Sequence, residues 1–283
     1  MASMRDIKRR KNSVTSTQQI TKAMKLVSTV KLQKARSRAE STNPYTDQMF
    51  KTVSSMMAKS GTVNHPYLKA GESNRKAVIV ITSNRGLAGG YNSNIVKLIT
   101  SSDFNKDDLD IYALGSKGCD LLARRGYRIV ENRSSIMEGP TFADANDLCR
   151  TVLDSFVKGE VGEIYVAYTH FKNTVTHVPT LRKLLPVEAS EVVEDDSNVL
   201  MNYEPNTEEA LDMIIPKYIT SLFYGALVEA VASENGARMQ AMDSATSNAD
   251  EIISDLTLKY NRARQGAITQ ELTEIIAGAN AIG

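Results

Sequence analysis

The sequence predicts an α/β fold in which two long terminal helices form an antiparallel coiled coil and the middle of the chain forms a Rossmann-like domain. Three observations predict it. Residues 1–43 contain no Gly or Pro, nine of the 16 Gly lie between Gly86 and Gly162, and no Pro follows Pro216. Segments without such breakers run as long helices, whereas Gly clusters mark turns. The middle alternates strand-like and helix-like runs with short connections. The ends carry complementary charge: residues 1–38 hold 11 basic side chains and one acid, Asp6, and residues 217–283 hold five basic and eight acidic ones. The expected divisions are 1–60, 75–200 and 207–283.

The first helix is expected from Ser3 to at least Thr42, continuing past a kink at Pro44 as far as Gly61. Forty residues at the helical rise span about 60 Å. Its apolar positions Ile20, Met24, Val27 and Val30 follow 3-4 spacing only in part, with Leu26 and Leu32 off the stripe, so it needs a partner to bury it. In the middle, Ala77–Thr82 (AVIVIT) reads as a buried strand, Gly86–Tyr91 as a turn and Asn94–Thr100 as a helix. Asp110–Leu114, Tyr127–Glu131 and Glu163–Thr169 read as strands; Lys117–Arg125 and Phe142–Val157 read as helices. Val175–Leu185 contains Pro179 and is assigned to a sheet edge, where a missing N–H is tolerated.

The last helix starts at an Asn206/Glu209 capping-box pattern. Pro216 sits inside it and costs about 3 kcal/mol unless the helix bends. Beyond it a seam reads in alternating 4-3 steps: Val228, Ala232, Asn235, Met239, Met242, Thr246, Ala249, Ile253, Leu256, Tyr260, Ala263, Ala267 and Gln270. Ten of these thirteen are apolar, which is a coiled-coil register. After Ala267 the register slips to Ile268, Leu272, Ile275 and Ile276. A domain is roughly 30 Å across, so both helices are expected to outrun it and to pair with each other.

Composition excludes several function classes. With 34 basic and 33 acidic residues the formal charge is +1, which demands no polyelectrolyte partner. Two Cys exclude a disulfide scaffold and a four-thiolate metal site. There is no run of 18 apolar residues, and no secretory signal is expected. The turn Arg85–Asn92 (RGLAGGYN) lies where a phosphate loop belongs, between strand and helix. It matches neither GxGxxG nor the P-loop, and three readings stand: a tight packing turn, a nucleotide site, or a protein contact. His65, His170 and His177 have no ligand spacing, Cys119 and Cys149 are expected to be inert thiols on helices, and Glu188–Asp196 reads as a solvated loop. No catalytic residue, cofactor or metal is expected, and a fold alone supplies no function.

The basic N-terminal helix has three readings as well. A nucleic-acid grip lacks stacking aromatics, with only Tyr45 and Phe50 nearby. A transit peptide shares its basic, nearly acid-free composition. The third is a surface facing an acidic protein partner.

Four stretches bear on the choice: Ile20–Val27 (ITKAMKLV), Arg85–Asn92, Glu234–Met242 (ENGARMQAM) and Arg264–Ile275 (RQGAITQELTEI). In order, and across essentially the whole chain, they resemble the gamma-subunit family of F-type ATP synthases, bacterial type. The resemblance disfavours the transit peptide. It implies a non-catalytic rotor subunit of the central stalk, whose paired terminal helices turn inside an alpha3beta3 hexamer. The Rossmann-like domain would sit on the c ring beside the epsilon subunit, so that proton or sodium flow is coupled to ATP synthesis or hydrolysis. It implies no nucleic-acid partner, and a peripheral place on the cytoplasmic face of the bacterial cell membrane, held through partners only. Met24 and Lys25, with Arg238, Gln270, Thr273 and Glu274, resemble rotor–stator contacts. Tyr203 and Glu204 resemble the contact with the c ring and epsilon. The uncharged end at residues 275–283 resembles a low-friction bearing, with a frayed tail as the alternative. Two departures are Pro216 and the lack of the dithiol insert of chloroplast members.

Overall fold

The computed structural model describes residues 4–59, 65–187 and 207–282. Contacts divide the chain into two compact units, one formed by residues 1–28 with 239–283 and the other by residues 29–238.

The larger unit is built on a five-stranded sheet. In chain order the elements are β1 (Lys76–Ile81), α2 (Tyr91–Thr100), β2 (Leu109–Leu114), α3 (Ser116–Arg124), β3 (Arg128–Asn132), α4 (Phe142–Val157), β4 (Glu163–Phe171) and β5 (His177–Leu185). Helices α1 (Met4–Lys59) and α5 (Thr207–Ile282) flank them in sequence. The strand order is β3-β2-β1-β4-β5, with β1 parallel to β2 and β4, and only β5 antiparallel. β1 and β2 are buried along almost their whole length, as expected of parallel strands covered on both faces. Pro179 lies on β5, at the sheet edge.

Alternation along the strands sends side chains to two cores. Val78, Val80, Ile111 and Ala113 pack with Ile95, Val96 and Leu122 of α2 and α3. On the opposite face Ile79, Ile81, Leu114 and Val166 pack with α4, with Val53 and Met56 of α1, and with Leu211–Ala230 of α5. That stretch of α5 is apolar nearly all round because it is buried nearly all round, as Tyr218, Phe223 and Leu227 show. An 18-residue window in this helix reaches a mean hydropathy of 1.2, and 61% of it is buried inside the fold. α4 starts with a capping box: the Asp144 N–H donates to Thr141 Oγ1, and the Thr141 N–H donates to Asp144 Oδ2. α1 runs through Pro44 and α5 through Pro216. Ile215, Tyr218 and Ile219, next to Pro216, are fully buried, and this packing holds the helix where propensity would end it.

In the smaller unit α1 and α5 lie side by side. Gln18 Nε2 donates to Asp250, the Thr21 and Thr246 hydroxyls share a hydrogen bond of 2.8 Å, and Lys25 Nζ donates to Asp243. Partner numbers fall as α1 rises, so the helices are antiparallel. The α5 seam is the expected one: Met242, Ala249 and Leu256 are buried, and Thr246, Ile253, Tyr260, Ala263 and Ala267 are half-buried. Gln270, its last expected member, is exposed. The α1 face is a correction. Ile20 and Val27 are 60% and 56% exposed, while the buried α1 positions of this unit are Thr21 and Ser28; in the larger unit Val30 is 52% exposed, and Leu32 and Ala35 are buried. Small and hydroxyl side chains let two helix backbones approach closely, so the seam selected size over apolarity. The slipped register also ends outside: Ile268, Leu272, Ile275 and Ile276 are exposed. The pairing sets Thr246 opposite Thr21; carried along both helices, it leaves α5 beyond Ala263 with no described α1 residue opposite.

Candidate functional site

The carboxyl ends of β1 and β4 are where an open α/β sheet of this order holds its ligand. β2 and β3 lie to one side of β1 and β4 to the other, which makes the gap between β1 and β4 the topological switch point. Three groups of side chains converge there.

The first is the turn after β1. Leu87 and Gly89 have φ of +62° and +55°, and Gly90 caps α2. Asn92 folds back to accept from the Ser83 N–H at 2.9 Å, and its Nδ2 donates to Ser83 Oγ at 2.7 Å. The turn is therefore tight and self-bonded, the first of its three expected readings.

The second group caps α3. The Gly118 N–H donates to Thr82 Oγ1 at 3.0 Å, and the Ser116 N–H donates to Asn84 Oδ1 at 3.1 Å. Free N–H groups at such a helix start are the usual anion site; here they bond oxygens of the chain itself.

The third group is α5, over residues 229–238. Tyr91, fully buried, donates its hydroxyl to the Ala230 carbonyl at 3.1 Å. Ser233 Oγ donates to the Thr169 carbonyl at 2.9 Å. His170 Nδ1 lies 2.7 Å from Glu229 Oε2. Arg238 donates to Glu234 at 2.8 Å and reaches the Arg85 and Gly86 carbonyls at 3.3 and 3.4 Å. A helix of this chain thus lies across the crevice that holds the cofactor in dinucleotide-binding members of the fold. Burial pushes the Tyr91 phenol far up. Burial also raises the Glu234 carboxyl, against the opposing pull of Arg238, Lys31 and Arg85. We expect Tyr91→Phe to lower the stability of the unit by about 1 kcal/mol in urea unfolding, the loss of one buried hydrogen bond to a carbonyl that keeps its bond within α5.

The expected contact residues fall into different settings. Met24 and Lys25 are half-buried beside the helix pair. Gln270, Thr273 and Glu274 are exposed, with Gln270 Nε2 donating to Glu274 at 2.9 Å. Arg238 is only 11% exposed in its side chain, and its guanidinium works inside the chain. Tyr203, Glu204, the Asn206 cap and the acidic stretch 188–196 lie outside the described residues. Cys149 is buried and its thiol is pushed up to about 12 by that burial; half-buried Cys119 is raised for the same reason. Among the described residues no cluster of His, Cys, Asp and Glu is arranged to hold a metal ion.

Sequence reading missed the crevice-filling role of residues 229–238. The one local signal was Gly236, a glycine inside a helix, where propensity disfavours it.

Residues 3–282 match the family model described as ATP synthase. The chain is 67% identical, over all of both chains, to the "ATP synthase gamma chain" of Lachnoclostridium phytofermentans. It is 41% identical to the "ATP synthase gamma chain, sodium ion specific" of Acetobacterium woodii, covering 99% of this chain and 98% of that one. Among solved structures it resembles a chain of the Tetrahymena thermophila mitochondrial ATP synthase central stalk and c ring at 26% identity and a TM-score of 0.60, over 80% of this chain and 99% of the other. A chain of the Euglena gracilis mitochondrial enzyme shares the fold at 18% identity and a TM-score of 0.71, covering 99% and 94%.

Proposed function

The chain belongs to the ATP synthase gamma-chain family, and from that premise we propose how it works. It is the rotor subunit of the central stalk, through which rotation of the c ring reaches the catalytic alpha/beta hexamer, so that ion translocation is coupled to ATP synthesis or hydrolysis. It is a peripheral part of the membrane-bound complex. The observation that carries the reading is end-to-end similarity to gamma chains in a chain whose two ends pair antiparallel.

Finer assignments follow from the same reading. The chain holds no nucleotide chemistry of its own; support comes from the α3 donors bonded to Thr82 and Asn84 and from the helix lying in the crevice. The complex sits on the cytoplasmic face of the bacterial membrane, with epsilon beside the sheet domain near Tyr203 and Glu204. Met24 and Lys25 on α1, and Gln270, Thr273 and Glu274 on α5, face the hexamer. Exposed Ile20, Leu26 and Val27 flank the first pair, and exposed Ile268, Leu272 and Ile275 flank the others. Apolar side chains left in water on a helix mark a surface that a partner covers. Arg238 is assigned to the same contact with its intrachain bonds in place.

Co-expression with alpha and beta subunits tests the reading. We expect one copy of this chain per three-plus-three hexamer; a hexamer that purifies without it would sink the proposal. Met24→Lys adds a cation beside Lys25 at the rotor–stator contact. Fewer ions are then expected to be pumped per ATP hydrolysed, and an unchanged ratio measured in vesicles would remove Met24 from that contact.

A further inference from the structure

Helix α5 carries a glycine at a position where the side chain of another element takes up the room. A Cβ on Gly236 would lie 2.6 Å from His177 Nε2 and 3.6 Å from the Phe171 ring. The imidazole of β5 therefore fills the notch left by the missing side chain, with Phe171 of the paired strand at 6.0 Å between ring centroids. This Nε2 is buried and has no hydrogen-bond partner. The other buried side-chain polar atom without a partner, among the described residues, is Thr169 Oγ1. Thr169 is on the same hairpin, and its carbonyl is held by Ser233 of α5. Unpaired buried polar atoms are few in native proteins and call for a reason. Here both lie on the hairpin that docks against one stretch of α5.

We propose that the seat of His177 on Gly236 is a proton-operated latch between the β4–β5 hairpin and helix α5, closed by the neutral ring and opened by the imidazolium. The proposal does not depend on the rotary reading. His177 is half-buried with Nε2 at its buried end; a proton there would place an N–H against a helix backbone with no acceptor on offer, and a buried polar group without a partner is disfavoured. The charged groups on the packed elements are committed elsewhere. On α5, Glu229 is paired with His170 and Glu234 with Arg238. On β5, Arg182 acts on Tyr168. Burial is the one cause acting on His177, and it moves the ring below its ordinary value. His170, on the same hairpin, differs in having a carboxylate partner, Glu229.

The sign follows from linkage. An opened ring in water titrates near its ordinary value of about 6.5, and the seated ring lower. Opening takes up one proton between those two values. The closed form is fully favoured above the ordinary value and loses ground as pH falls, the opening equilibrium rising by at most about tenfold per pH unit until the seated ring itself titrates.

Two measurements on the full chain test this. The first follows the ring resonances of the histidines by NMR through a pH titration. The second follows hydrogen exchange of the amides at residues 169–171 and 233–238 between pH 7.5 and 5.5, corrected for intrinsic exchange. We expect His177 to titrate below about 6.5, with opening level from pH 7.5 to about 6.5 and rising below that by at most about tenfold per unit. His177→Gln should flatten the dependence, and His170→Gln should retain it. A His177 ring that titrates at or above its ordinary value overturns the latch. So does an equal pH dependence in wild type and His177→Gln. Should His177→Gln fail to fold, the wild-type titration and exchange decide alone, and opening that stays level on acidification overturns the proposal.

Discussion

Gly115→Ala is expected to destabilise the sheet unit by on the order of 4 kcal/mol, enough to unfold a marginal domain. Gly115 follows β2 with φ of +103°, a conformation that L side chains rarely adopt. A Cβ there would lie 2.1 Å from the Thr82 carbonyl oxygen and 2.6 Å from Thr82 Oγ1. The obstacle is backbone. Thr82 cannot swing aside, because its N–H donates to the Leu114 carbonyl at 2.7 Å and its Oγ1 accepts from Gly118. Relief would have to part β1 from β2 at their carboxyl ends, the edge that also caps α3. Gly225→Ala is the control. Nothing lies within 4 Å of a Cβ at Gly225, in the α5 part of the same unit, so alanine should stabilise by up to about 1 kcal/mol. Urea unfolding can be followed by far-UV circular dichroism and tyrosine fluorescence, since the chain has no Trp. A Gly115→Ala midpoint close to wild type would show that the strand ends yield more easily than their hydrogen bonds imply.

Which features were legible in advance depends on whether the burying partner was local. The strands read clearly because runs such as AVIVIT are β-branched, short and bounded by turn residues; the expected Ala77–Thr82 became Lys76–Ile81. The span expected for α4 is the observed one, Phe142–Val157. The α5 seam read well because its 4-3 spacing survives substitution by small residues. The α1 face did not read. Ile20, Val27 and Val30 look like a core stripe, yet they are exposed, and Thr21 and Ser28 face inward. Apolar periodicity marks a face that something covers, without saying whether the cover belongs to the same chain. The crevice was illegible for another reason. Tyr91 and Ala230, or Thr169 and Ser233, are far apart in sequence, and no local pattern reports that a helix from the chain end will occupy the place of a ligand.

Arg238→Met is expected to cost about 3 kcal/mol at neutral pH, toward the low end for breaking a buried ion pair, because both side chains keep a little solvent. Their side-chain exposures are 11% for Arg238 and 13% for Glu234. Burial already raises the Glu234 carboxyl, and Arg238 is the largest opposing influence. Without the guanidinium, Lys31 and Arg85 remain as counter-charges, and the carboxyl rises further. A raised acid is stabilising only while protonated, so the native state binds the extra proton. The deficit of the variant therefore shrinks as pH falls toward the ordinary Glu value of about 4.3, and it is full above the raised native one. Glu234→Gln in the same background removes the charge and should recover most of the neutral-pH loss. The contacts of Arg238 with the Arg85 and Gly86 carbonyls tie the turn after β1 to α5, so the hydrogen exchange of residues 85–91 should rise with the loss. Because these measurements use the chain alone, they separate two roles that share one guanidinium. A clamp inside the chain predicts the stability loss, its pH dependence and its rescue. A contact made only with a catalytic partner predicts unchanged unfolding of the free chain and a defect confined to the assembled complex.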